Sequence, residues 1–158
     1  MSNSDTRVPG FLGRALSFEL SAVQQYLTHA RLAEGWGLTG AASRLRQEAQ
    51  QETGHADRIV ARMLALGMAP NASFLRPVVT GQDLMALLRA NWRLEAEIVR
   101  LYEQAYNHCA RSRDPDGLAF FGELLREEQE HARELEGWLN DLSEPNEARR
   151  PGSVVTGR

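Results

Sequence analysis

Four long segments of this chain carry apolar side chains at alternating steps of four and three residues, and this spacing restricts the fold more than any other feature. Such steps place side chains on one face of an α-helix. The segments contain no proline and are rich in Leu, Ala, Arg and Glu, which form helices readily. They cover residues 11–34, 41–66, 82–110 and 116–142. The chain is therefore predicted to be all-α, with four helices whose apolar faces pack together as a bundle.

Clusters of proline and glycine separate these segments and indicate how the helices are connected. The breaks around Trp36 and at residues 114–117 are short, whereas the break at residues 67–81 is long. This order predicts two antiparallel helical hairpins joined by one long crossover. We expect one domain over residues 1–142, followed by a flexible, proline- and glycine-containing tail over residues 143–158.

Each apolar stripe contains one glutamate near its middle. These residues are Glu19, Glu52, Glu95 and Glu128. A buried, unpaired carboxylate is unfavourable by several kcal/mol, and four that converge also repel one another. A bound cation between them would remove this cost, so the stripes predict a metal site in the bundle core.

Histidines extend this pattern on the second and fourth helices. His55 follows Glu52 by three positions, and His131 follows Glu128 by three. Residues at this spacing share a helix face. With the short turns near residues 37 and 113, each histidine also lies as far from its turn as the glutamate of the preceding helix does. Glu19 and His55 are thus predicted to meet at one height of the bundle, and so are Glu95 and His131.

The ligand pattern repeats after 76 residues, with tyrosines included. Two matched halves predict a pseudo-two-fold site that holds two ions. Across the bundle, the repeat predicts hydrogen bonds from Tyr26 to Glu95 and from Tyr102 to Glu19. The repeated pairs are Glu19 and Glu95, Tyr26 and Tyr102, Glu52 and Glu128, and His55 and His131.

The predicted ligand set favours iron. Carboxylates with some imidazole suit iron or manganese, whereas zinc prefers four tighter ligands. We expect two iron ions per subunit, with manganese as the alternative. Other polar residues near the stripes lack a partner pattern: we interpret His29, His108 and Cys109 as packing or surface residues, and Glu97 and Glu127 as surface charges.

Composition excludes several other classes of function. The net charge of −3 does not favour nucleic acid or an anionic membrane as a partner. No apolar run reaches the roughly 20 residues that a membrane span needs. The first ten residues lack the apolar core of a signal peptide, and the single cysteine, Cys109, excludes an internal disulfide. These features predict a cytoplasmic location.

With these residues, the chain resembles the bacterioferritins over about residues 8–142. The resemblance implies a ferritin-like bundle in which Glu52 and Glu128 bridge two irons. It also implies ferroxidase activity, in which Fe(II) is oxidised by dioxygen or peroxide and ferric mineral is stored in a 24-subunit cage. The other ligands divide as Glu19 with His55 and Glu95 with His131. The matching strings are Glu19-Leu20 with Tyr26, His29-Ala30-Arg31, Glu52-x-x-His55-Ala56-Asp57-Arg58 and Glu128-x-x-His131.

The chain departs from this family at several positions. Thr53 stands where the family has its haem-binding methionine, so we expect no haem. An inner-surface iron site of some members, built from histidine and aspartate, corresponds to Gln47 and Gln51. The electron-donating tyrosine and tryptophan of some members correspond to Ile59 and Glu134.

Assembly is expected because apolar side chains such as Leu32, Trp36, Leu38 and Phe74 fall on outer faces. We predict a homo-oligomer of at least two subunits. The family's short fifth helix, which lines the four-fold channels of the cage, is missing from residues 143–158.

Two alternatives stay open: a di-iron or di-manganese oxidase or peroxidase without storage, and a subunit that mixes with haem-bearing ferritin subunits or is packaged in another shell.

Overall fold

A computed structural model describes residues 6–70 and 74–143. This part of the chain contains four helices and no strand, which confirms the predicted four-helix bundle. Helix α1 packs against α2, α3 packs against α4, and α1 also contacts α3. The predicted tail lies outside the described residues from position 144 onward. The helices are α1 (Arg7–Gly35), α2 (Thr39–Ala65), α3 (Leu84–Arg111) and α4 (Pro115–Ser143).

The helix boundaries lie within four residues of those that the sequence predicts, and the largest difference is at the start of α1. Helix α1 begins at Arg7 instead of residue 11, so that Pro9 lies inside its first turn. Proline is tolerated there because the first amides of a helix have no intrahelical acceptor. Helix α3 begins two residues later than predicted because Asp83 caps it: its Oδ1 accepts a hydrogen bond from the Ala86 N–H at 2.8 Å.

The two short turns have the same backbone geometry. Gly37 follows α1 with φ of 79°, and Arg113 follows α3 with φ of 55°. After each of these residues, the next N–H reaches back across the helix end: Leu38 to the Ala33 carbonyl and Asp114 to the Cys109 carbonyl, both at 2.9 Å. This is the hydrogen bond that closes a Schellman motif. The 76-residue repeat therefore includes the hairpin turns as well as the ligands.

The long crossover between α2 and α3 is attached to α1 through its backbone. The Val79 N–H donates to Gln25 Oε1 at 3.1 Å, and His29 Nε2 donates to the Val79 carbonyl at 2.6 Å. Gln25 Nε2 in turn donates to Asn91 Oδ1 of α3 at 2.9 Å. His29 is thus a buried packing residue, as predicted, and its polar atoms hold the crossover in place.

The other polar residues near the helix stripes are either buried in the bundle or lie at its surface. His108 and Cys109 are buried, and the His108 ring lies 5.7 Å from the ring of Phe11 at a tilt of 43°. Glu97 forms an ion pair with Arg76 at the surface, in agreement with its interpretation as a surface charge. None of the described helices is long and apolar enough to cross a membrane.

Candidate metal centre

The middle of the bundle is polar, and it contains the six residues that the sequence predicts as ligands. The four glutamates are 0% exposed and the two histidines are 6% exposed. Each helix contributes from its central turns, because the ligand positions belong to the same stripes that bury leucine and alanine on either side. The structure brings all six side chains together: Glu19, Glu52, His55, Glu95, Glu128 and His131.

These side chains form two groups that share two members. In each group, one ligand atom from every residue lies within 4.8 Å of the others. Glu52 and Glu128 belong to both groups, whereas the other four residues are divided between them. One group adds Glu19 and His55, and the other adds Glu95 and His131.

Two tyrosines from α1 and α3 contact the outer glutamates across the bundle. The Tyr26 hydroxyl donates to Glu95 Oε1 at 2.7 Å, and the Tyr102 hydroxyl donates to Glu19 Oε1 at 2.5 Å. Both tyrosines are fully buried. The hydrogen bonds that the repeat predicts are therefore present, and each fixes one carboxylate oxygen while the second oxygen stays free to bind a cation.

Several polar atoms of the centre lack hydrogen-bond partners among the described residues. They include one oxygen of Glu19, Glu52 and Glu95, and both oxygens of Glu128. Histidine nitrogens lie close to some of them, as His55 Nδ1 does at 2.5 Å from Glu128 Oε1, but without the geometry of a hydrogen bond. Buried carboxylate oxygens without partners are unfavourable. The donor set therefore fits divalent cations, which these oxygens would coordinate.

The pKa values reflect the crowding of these groups. Burial raises the pKa of Glu52 and of Glu95, and the neighbouring carboxylates raise both further. Burial also opposes ionisation of Glu128, but its contacts with Glu95 and with both histidines outweigh burial and hold its pKa well below the usual range. Burial lowers the histidine pKa values, yet the carboxylates raise that of His55 to about 12 and that of His131 to about 9. In the metal-free centre, protons thus provide the positive charge that cations would bring.

The outer nitrogen of each histidine has its own partners. His55 Nε2 lies 3.3 Å from Glu127 Oε2, and Arg58 Nη1 donates to that same oxygen at 2.5 Å. His131 Nε2 lies 3.2 Å from Glu48 Oε2 and contacts Gln51 Oε1. Our interpretation of Glu127 as a surface charge is therefore incomplete, because this half-exposed carboxylate contacts a predicted ligand.

Glu48 and Gln51 were not among the predicted site residues. Glu48 precedes Glu52 by four positions and so lies on the same face of α2, which is a signal that the sequence contains. The side chain of Glu48 is only 9% exposed, and burial raises its pKa. Its contact with His131 crosses from α2 to α4, and helix spacing alone does not reveal such a contact.

A surface cleft between α2 and α4 leads to the two histidines. The cleft has a volume of about 460 Å³. Both histidine rings line it, together with acidic side chains from α4. The residues around it are Gln51, Gly54, His55, Arg58, Glu127, Glu130, His131 and Glu134.

Comparison with known proteins agrees with this architecture. The ferritin-like domain family matches residues 11–144. Bacterioferritin of Rhodobacter capsulatus is 38% identical over 132 residues, which cover 84% of this chain and 82% of that protein. Bacterioferritin of Brucella melitensis is 33% identical over 138 residues, which cover 87% and 86% of the two proteins.

A solved structure is similar as well. It is that of Rhodobacter capsulatus bacterioferritin, described with a metal-free dinuclear site and a haem iron in a crystallographic special position. It superposes with a TM-score of 0.83 at 36% sequence identity, and covers 87% of this chain and 86% of that one. The fold, the arrangement of the centre and these relatives lead to one conclusion: the chain belongs to the ferritin family and, within it, to the bacterioferritins.

Proposed function

We propose that this protein is a ferroxidase of the bacterioferritin type, which binds two iron ions per subunit and oxidises Fe(II) to Fe(III) for iron storage or detoxification. The observation that carries this proposal is the pair of overlapping ligand groups, which share Glu52 and Glu128. Two sites that share carboxylates suit two ions held close together, as in two-metal centres generally.

The division of the ligands follows from the two groups. Glu52 and Glu128 would bridge the ions, because only these two residues belong to both groups. Glu19 with His55 would complete one site, and Glu95 with His131 would complete the other. In both histidines Nδ1 faces the carboxylates, so Nδ1 is the nitrogen that would bind iron.

The protein side chains have defined tasks in this reaction. Two Fe(II) ions supply two electrons to an oxidant, which we take to be dioxygen or peroxide. Tyr26 and Tyr102 hold the outer glutamates through hydrogen bonds and limit their rotation. The acidic cleft over His55 and His131 gives Fe(II) a route from the surface. Protons on Glu52, Glu95 and the histidines must leave as the ions bind.

The proposal extends to cofactors and partners. We expect no haem, since Thr53 has no soft ligand atom and its hydroxyl donates to the Ala49 carbonyl at 2.8 Å. We expect a homo-oligomer, either a dimer or a cage. Storage of mineral by proteins of the bacterioferritin type requires a shell of several subunits, and this subunit exposes large apolar side chains that an interface would cover. A reducing cytoplasm fits the single buried cysteine, Cys109.

Iron binding and dioxygen consumption test the proposal together. Metal-free protein is titrated with Fe(II) without oxygen, and the bound iron is counted by metal analysis. Oxygen is then admitted and its consumption is followed with an electrode. We expect saturation at two Fe(II) per chain and rapid oxygen uptake. Mn(II) is titrated in parallel: saturable binding of Mn(II) together with no oxidation of bound Fe(II) would contradict the ferroxidase assignment and favour the manganese alternative.

A further inference from the structure

Glu127 occupies the outer side of His55, away from the carboxylates of the centre. Its Oε2 lies 3.3 Å from His55 Nε2, while His55 Nδ1 lies 2.5 Å from Glu128 and 3.1 Å from Glu52. Arg58 holds the same Glu127 oxygen at 2.5 Å. The ring thus lies between an inner set of carboxylates and one outer carboxylate that is itself fixed.

Metal binding determines how the proton of this ring must be placed. An imidazole coordinates a cation through an unprotonated nitrogen, so Nδ1 must lose its proton and Nε2 must keep one. The Nε2–H then points at Glu127, within reach of a hydrogen bond. A carboxylate in this place orients the ring and makes its inner nitrogen a stronger donor to the metal.

The internal repeat provides a comparison within the same chain. The position equivalent to Glu127 is Gln51, whose Oε1 contacts Nε2 of His131. A side-chain oxygen therefore faces the outer nitrogen of both histidines, although one residue is charged and the other is neutral. The similar placement on both sides of the pseudo-two-fold axis indicates that a side chain at this position accepts a hydrogen bond from the outer nitrogen of the histidine.

We propose that Glu127, fixed by Arg58, is a positioning residue that holds His55 with Nδ1 directed at the metal. It acts through His55 and does not itself coordinate the ion. This inference rests on the proposed function, because it requires that His55 binds metal. Glu127 lies outside the six ligands, and Arg58 fixes it by donating to its Oε2.

Co(II) is a suitable probe because it does not consume oxygen in this assay and its visible spectrum reports its ligands and geometry. Wild type, Glu127→Ala, Glu127→Gln and Glu123→Ala are titrated with Co(II), and the affinities of both ions are fitted. Glu123 is the matched control: it lies one turn away on α4 and contacts Arg58 at 3.4 Å, but its side chain is 57% exposed. We expect Glu127→Ala to weaken one ion by about 10–100-fold and to change its spectrum.

The conservative variant separates positioning from general loss of charge. The amide oxygen of Glu127→Gln still accepts a hydrogen bond, as Gln51 does for His131, so most of the lost affinity should return. Glu123→Ala should bind both ions as wild type does. Wild-type affinities in Glu127→Ala, or equal losses in Glu123→Ala, would overturn the inference. If wild type itself binds fewer than two Co(II) ions, the proposed function fails instead.

Discussion

At the scale of single residues, the centre concentrates negative charge that the metal-free protein must neutralise with protons. Glu52 and Glu128 occupy similar positions but differ in electrostatics. The pKa of Glu52 is raised by burial and by its acidic neighbours, whereas the contacts of Glu128 with both histidines hold its pKa low. The same chemical change at these two positions should therefore have different effects on stability without metal.

The first prediction follows from this contrast. Both Glu52→Gln and Glu128→Gln should abolish rapid Fe(II) oxidation, because each removes a proposed bridging carboxylate. In metal-free protein at neutral pH, Glu128→Gln should lower the free energy of unfolding by about 3 kcal/mol, since it removes the carboxylate whose lowered pKa reflects its contacts with both histidines. Glu52→Gln should leave stability unchanged or raise it. Stopped-flow absorbance and urea denaturation measure the two effects, with exposed Glu103→Gln as control.

The second prediction concerns pH. The folded protein raises the pKa of His55 from 6.5 to about 12 and that of His131 to about 9. Such groups stabilise the fold fully below their unfolded pKa, and this contribution is lost as pH rises through the folded values. The raised pKa values of Glu52 and Glu95 act in the same direction. Within the centre, the lowered pKa of Glu128 opposes them, since its contribution is lost in acid. Outside the centre, burial lowers the pKa of His29, which acts in the same direction as Glu128.

Metal-free protein should therefore be less stable at about pH 9 than at about pH 6, and bound metal should reverse this order because cations replace the protons. Thermal melts with chelator, and again with Zn(II), measure both conditions. Equal melting temperatures of the metal-free protein at the two pH values would contradict this electrostatic description of the centre.

Much of this centre could be anticipated from the sequence, because its main determinants are local. Helix periodicity placed the four glutamates on inward stripes, and the repeat matched their heights. The partners of the histidine Nε2 atoms could not be anticipated in this way. Glu127 and Glu48 reach them across the α2–α4 contact, and the rotation of one helix against another depends on packing throughout the bundle.

At the scale of elements, the two hairpin turns fix the heights at which the ligands meet. Both turns require a residue in the left-handed region, and glycine adopts this conformation without strain. The first turn has Gly37 at φ 79°, whereas the second has Arg113 at φ 55°. The second turn is therefore strained relative to the first, although both make the same backbone hydrogen bond.

The third prediction is that Arg113→Gly raises the free energy of unfolding by about 1 kcal/mol. The matched control is Gly37→Ala, which should lower stability by a similar amount. An added Cβ at Gly37 would meet no atom within 4 Å, so this loss would report backbone strain alone. Urea denaturation of each variant in metal-free form gives the values. A loss of stability in Arg113→Gly would show that the arginine side chain outweighs the strain.

Element boundaries show where sequence patterns were less informative. The proline at position 9 suggested a break, but the first turn of α1 accommodates it. The crossover could be located from its proline and glycine content, yet its attachment to α1 could not. That attachment uses the Val79 backbone with Gln25 and His29, and backbone contacts of an irregular segment leave no periodic signal.

At the scale of the whole molecule, the isolated subunit exposes several large apolar side chains. Phe74 is 80% exposed, Leu64 60% and Val79 54%. Apolar side chains of this size gather at interfaces when they form a contiguous patch. Two-fold dimers are the commonest closed assemblies, so an interface between two copies of this chain is the simplest way to cover these side chains.

The fourth prediction is an assembly of at least two subunits. Light scattering on a sizing column should give a mass of at least twice the 17.7 kDa chain, and a cage would appear at many times that mass. A mass equal to one chain would contradict the interface argument. A dimer alone would leave the proposed metal centre intact but would exclude storage of mineral inside a shell built from this subunit.

The central claim is that two metal ions lie between the six core ligands, and anomalous diffraction tests it most directly. Crystals are soaked with Fe(II) without oxygen, and data are collected on both sides of the iron absorption edge. We expect two iron peaks about 3.5–4 Å apart, with Glu52 and Glu128 bridging them. A single peak, no peak, or side chains turned away from the bundle core after soaking would contradict the account.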